Sequence, residues 1–72
     1  MTIENFKKLS LEQKLIEIKY HGELLGSYER PSEEGGLKVP GDIYALYDFW
    51  VYVSEDEQTV VQARRNPLDK GE

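Results

Sequence analysis

The chain of 72 residues has no cysteine, which excludes disulfide bridges and every zinc site built on thiolates. So short a chain buries a small core, whose gain barely exceeds the conformational entropy lost on folding. With no covalent staple to help, a partner or a second copy is an expected source of stability. Basic residues are scarce too: nine Lys and Arg stand against fourteen Asp and Glu, a net charge of −5. An acidic domain repels phosphate backbones, so no nucleic-acid partner is expected. Long apolar runs are missing as well. The start, "MTIENFKKLSLEQKLIEIKYHGE", mixes Glu and Lys and lacks the apolar centre of a signal peptide. The most apolar stretch, residues 43–53, is too short to span a bilayer and is interrupted by Asp48. These absences predict a soluble cytoplasmic protein with no membrane partner.

Groupings that carry chemistry are few. His21 is the single histidine, and it falls in the last turn of an expected helix, where an imidazolium meets the negative end of the dipole. Ser10, Ser27, Ser32 and Ser54 have no nucleophile motif around them. Asp42 and Asp48 sit at opposite ends of one expected strand, roughly 20 Å apart on strand geometry, too far to share one bond as acid and base. "SEDE", residues 54–57, lacks the spaced oxygens and the glycine of a calcium loop. Gly35 and Gly36 have neither the spacing nor the following helix of a phosphate cradle. Arg64 and Arg65, at the end of an expected strand, point to opposite faces and form no double clamp. No catalytic, cofactor-binding or metal-ligating residue is therefore assigned, and the chain reads as a non-enzyme.

What is present is local pattern. "SLEQKLIEIKYHG" opens on Ser10 as N-cap, with Gln13 three places on as in a capping box, and closes at Gly22, suited to a left-handed cap. Leu11, Leu15 and Ile18 form an apolar stripe that Ile16 widens, and truncating Leu15 or Ile18 is expected to cost about 2 to 4 kcal/mol. Upstream, Thr2 caps a short turn of helix that carries Ile3 and Phe6. "ELLGSYER" predicts a strand weakened by Gly26, and "PSEEGGLKVPG", residues 31–41, predicts a long loop, mobile and tolerant of deletion from Glu33 to Gly36.

Five aromatic rings then crowd into "IYALYDFWVYV", residues 43–53. Its one strong turn former, Asp48, divides it into strands 42–46 and 49–54 about a turn at Tyr47 and Asp48. "EDEQ" turns again, residues 59–65 supply a last strand, and Pro67 keeps "NPLDKGE" out of the sheet. The expected architecture is α+β: an N-terminal helical segment packed on an antiparallel β-meander of about four strands, one domain over residues 1–66 with a flexible tail over 67–72.

A two-residue turn puts Leu46 opposite Phe49 and Tyr44 opposite Val51. One face then carries Tyr44, Leu46, Phe49, Val51 and Val53, and the other carries Ile43, Ala45, Trp50 and Tyr52. Both are apolar, yet one helical segment covers only one side of a sheet. Sheet curvature, the long loop, the tail or another molecule must hide the second. Trp and Tyr are favoured at interface centres, so Ile43, Ala45, Trp50 and Tyr52 are the candidate interface residues.

The order of "NFKKLSLEQKLIEI…HGELLG", then "IYALYDFWVYV", then a turn and a short strand resembles small bacterial proteins of the Bacteroidota in which a short helix precedes a Tyr-rich β-meander. The resemblance spans most of residues 3–65 and rests on apolar pattern; it implies no activity, and it carries over no cofactor and no site residue. The function expected is a non-enzymatic protein-interaction module that self-associates as a homodimer through the aromatic hairpin face. Competing expectations are a small acidic inhibitor or nucleic-acid mimic, which would present its acids in a phosphate-like row, and a small-ligand carrier with a closed aromatic pocket.

Overall fold

Thr2 and Ser10 each begin a helix in the computed structural model, which describes residues 1–31 and 35–68. Helix α1 spans Ile3–Lys7 and α2 spans Leu11–His21. Thr2 Oγ1 accepts from the Asn5 amide and Ser10 Oγ from the Gln13 amide, both at 3.2 Å, so each cap satisfies a donor that the first helical turn leaves open. Four strands follow: β1 (Glu23–Pro31), β2 (Lys38–Leu46), β3 (Phe49–Ser54) and β4 (Val60–Ala63). They form one antiparallel sheet in the order β1-β2-β3-β4. The architecture is α+β with a β-meander, as the pattern of apolar residues predicts.

The hairpin takes its expected register, with Leu46 opposite Phe49, Tyr44 opposite Val51 and Ile43 opposite Tyr52. Tyr47 opens the turn with φ +57°, a position that two-residue hairpins usually give to glycine. Contacts of its own hold it there: its hydroxyl donates to Glu17 Oε1 at 2.7 Å, and its ring lies 5.6 Å from His21 and 6.2 Å from Phe49. The bond to Glu17, followed by partial burial and the carboxylate's charge, raises the Tyr47 pKa above the usual phenol value.

Four local expectations need correction. Gly22 ends α2 with φ −83° and ψ 154°, extended and not left-handed, because the chain enters β1 at the next residue. A side chain there would also meet the Ile18 carbonyl oxygen at 2.7 Å. Ile16 does not widen the buried stripe; it is exposed, and Leu11 is only marginally covered. Residues 38–41, expected as loop, form the start of β2 and pair with β1 from Lys38 opposite Pro31 to Gly41 opposite Tyr28. Pro40 is tolerated because pairing with β3 begins only at Gly41, so no ladder bond on that side needs its missing N–H. The last strand is shorter than expected and stops at Ala63, where the chain bends. The middle of the loop, residues 32–34, lies outside the described residues.

Gly26 does mark a weak point in its strand, since the β1–β2 register slips between Leu24 and Gly26 and leaves Leu25 as a bulge. Both helices lie on the face of Leu46, Phe49, Val51 and Val53, which with Ile3, Phe6 and Ile18 form the buried core, edged by Leu9, Leu15, Tyr44 and Val60. The helical stripe that reaches this core is thus narrower than the sequence suggests. Ile18→Ala is expected to cost about 2 kcal/mol and Ile16→Ala less than about 0.5 kcal/mol. Urea denaturation checks the pair, and equal losses would contradict the docking of α2 through Ile18.

Candidate functional site, the outer face of the sheet

The face away from the helices carries the four residues singled out from the sequence. Ile43 and Ala45 lie on β2, opposite Tyr52 and Trp50 of β3. Period-two alternation puts all four on one side, beside Tyr28 of β1 and Val61 and Ala63 of β4. They differ in accessibility. Ile43 is fully buried and Tyr52 only 3% exposed, whereas Ala45 and Trp50 are half-buried. Of these four residues, only Ala45 and Trp50, at the hairpin end of the face, are open to a partner.

Tyr52 owes its burial to Gly41. The hydroxyl of Tyr52 donates to the Val39 carbonyl at 2.8 Å and lies 3.3 Å from that of Pro40, and the ring passes over Gly41 on the way. Tyr28 meets the same ring edge to face at 6.1 Å between centroids. Burial raises the Tyr52 pKa first of all; the Arg30 guanidinium pulls it back and Asp56 pushes it up.

The C-terminal segment crosses this side of the molecule. Pro67 and Leu68, expected as free tail, are half-buried and line a depression with Ser27, Tyr28 and Glu29 of β1. The side chain of Leu68 stands 3.4 Å from the place a Cβ on Gly26 would take. The remainder of the expected tail, residues 69–72, lies outside the described residues.

Beside Pro67 the face sinks into an open hollow of about 560 Å³. Tyr28 and Arg30 come from one edge strand, Val61 and Ala63 from the other, and Tyr52 from between them. A single hollow bordered by both edges means that the sheet curls around this side, one of the ways expected for it to hide its rings. Arg64 and Arg65 complete the wall. They do not part to opposite faces as an uninterrupted strand would require, because the bend after Ala63 turns both towards the hollow. Arg64 also forms an ion pair with Glu4 of α1, which lowers the Glu4 pKa chiefly through that contact.

A second cleft of about 530 Å³ opens on the helix side between α2 and the sheet, lined in part by Leu15, Leu24, Tyr44 and Glu57. Burial, then the charges of Asp42 and Glu57, raise the Tyr44 pKa. Among the described residues, Lys19 also lines the cleft, and no serine or histidine does.

The other sequence candidates are dispersed. Exposed His21 stacks against Tyr47, well apart from the outer face. Residues 54–58 form a turn closed on itself: Ser54 Oγ donates to Asp56 at 2.6 Å, the Gln58 amide donates to the same carboxylate, and Ser54 Oγ accepts from the Thr59 amide. These bonds hold the Asp56 carboxyl below its usual pKa. Among the described residues no group of three or more His, Asp or Glu is placed to hold a metal ion, and no helix is long and apolar enough to cross a membrane.

Sequence reasoning missed the convergence of Arg30 with Arg64 and Arg65. Only the curl of the sheet brings them together, and no local pattern signals it. No protein-family model, no curated protein and no solved structure matches the chain.

Proposed function

We propose that the chain is a non-enzymatic protein-interaction module of the bacterial cytoplasm that self-associates through the outer face of its sheet. The observation that carries this reading is the one-sided placement of the helices. Both pack against Leu46, Phe49, Val51 and Val53, while the opposite face, with Ala45 and Trp50 half-buried at its hairpin end, has no helix over it. A half-buried Trp at the open end of a sheet face is the kind of anchor that interface centres favour. Two such ends facing each other about a twofold axis would bury both indoles in a homodimer. Ile43 and Tyr52 contribute as the packed floor beneath that contact.

Light scattering over a concentration series tests the reading. The wild type is expected to approach twice the chain mass as concentration rises, and its Trp emission to shift to the red on dilution as the ring meets water. Trp50→Ser is expected to give a folded species of single-chain mass at every concentration. A wild type that stays monomeric throughout, with concentration-independent emission, would overturn the homodimer.

A further inference from the structure

The hollow on the outer face gathers all three arginines of a chain whose net charge is −5. Acidic residues outnumber basic ones fourteen to nine, so neighbouring carboxylates should be easy to find. Yet among the described residues the only ion pair formed by these three is that of Arg64 with Glu4. Arg30 and Arg65 stand at the same hollow with no carboxylate partner among the described residues, Arg30 half-buried and close enough for its charge to act on Tyr52. Between them lie the edge-to-face rings of Tyr28 and Tyr52. Two cationic forks beside an aromatic floor form a surface for a planar anion carried on an apolar body.

We propose that this hollow docks an acidic peptide segment of a partner protein, with carboxylates paired to Arg30 and Arg65 and an apolar side chain resting on Tyr28 and Tyr52. Clusters of arginine are a recurring means of reading acidic motifs. A peptide suits the site better than a nucleic acid, because a long polyanion meets the repulsion of the surrounding acidic protein while a short segment presents its charges only where the guanidiniums are. The hollow is also open and shallow, matched to side chains laid across it and not to an enclosed small molecule. The proposal rests on the reading of the chain as a partner-binding module but does not require that it dimerise.

The test is an NMR titration of the full chain with the peptide Ac-Glu-Glu-Phe-Glu-Glu-amide. Its Gln-Gln-Phe-Gln-Gln counterpart, inorganic phosphate and a single-stranded oligodeoxythymidine are run beside it. Saturable shifts are expected at the Arg30 and Arg65 side-chain N–H groups and at Tyr28, for the acidic peptide alone. Arg30→Gln and Arg65→Gln should each weaken binding about fivefold, the size of one partly solvated charge-assisted contact. Arg65 is exposed, so Arg65→Gln keeps the test valid if Arg30→Gln perturbs the fold. Three results would overturn the proposal: no saturation at millimolar peptide, equal binding of the Gln peptide, or tighter binding of phosphate or the oligonucleotide. A concentration-dependent mass that the double arginine variant abolishes would assign the hollow to a second copy and overturn it too. If peptide binding fails while Trp50-dependent self-association persists, this inference falls and the homodimer stands; the reverse result separates them equally well.

Discussion

Phe6→Ala is expected to leave the chain largely unfolded at room temperature. Phe6 is fully buried although it belongs to a helix of only five residues, α1, which has almost no stability of its own. Its ring meets Phe49 at 5.5 Å between centroids, tilted by 58°, and Lys14 of α2 lies over it at 5.8 Å. One side chain thus joins α1, α2 and β3. Truncating a buried Phe costs about 3 to 5 kcal/mol, and a single core of this size rarely supplies more than that in total. Far-UV circular dichroism and urea titration read the outcome. A cooperative transition displaced by less than about 1 kcal/mol would mean that α1 is dispensable to the core.

Gly41→Ala should be nearly as damaging, for the opposite reason. A methyl group at position 41 would lie 2.4 Å from the Val53 carbonyl oxygen and 2.6 Å from Cε1 of Tyr52. The oxygen belongs to β3, beside which β2 is bonded, so it cannot withdraw without opening the ladder. The ring is tied at its far end through the hydroxyl to Val39. Overpacking of this kind costs about 3 kcal/mol when neither neighbour gives way. Gly26→Ala is the control, since its new methyl meets only the tip of Leu68 at 3.4 Å, an ordinary contact. Thermal melting is expected to show a large loss for position 41 and a change of a few degrees at most for position 26. Comparable losses at the two sites would contradict the close passage of Tyr52 over Gly41.

These two positions also show what could be read in advance. Thr2, Ser10 and the alternation of residues 42–54 act through neighbours a few places away, so the caps, the hairpin and its register were legible. Phe6 was legible as an apolar residue on a short helix, but not as the side chain that joins three elements. In isolation Pro40 and Gly41 resemble a turn, so the local sequence predicts loop at Gly41. They belong to a strand because Glu29 and Tyr28 of β1 sit opposite them, and that information lies a dozen residues away. The same holds for the candidate site. Alternation alone places Ile43, Ala45, Trp50 and Tyr52 on one face, whereas the burial that separates Ile43 and Tyr52 from the other two comes from Gly41, the curl of the sheet and a C-terminal segment expected to be free.

The strand order has a bearing on how quickly the chain folds. Every hydrogen-bonded neighbour in the sheet is also the next strand in the chain, so each pairing closes only a short loop and the meander assembles one hairpin at a time without a long-range search. The contact between Glu4 and Arg64 is different, because it joins residues 60 positions apart. Its geometry needs both the sheet's last strand and α1 in place, so it is expected to form late. Contacts made that late act mainly on the rate of unfolding, and an exposed pair such as this one acts on it only weakly, which leaves the meander to set the pace of folding.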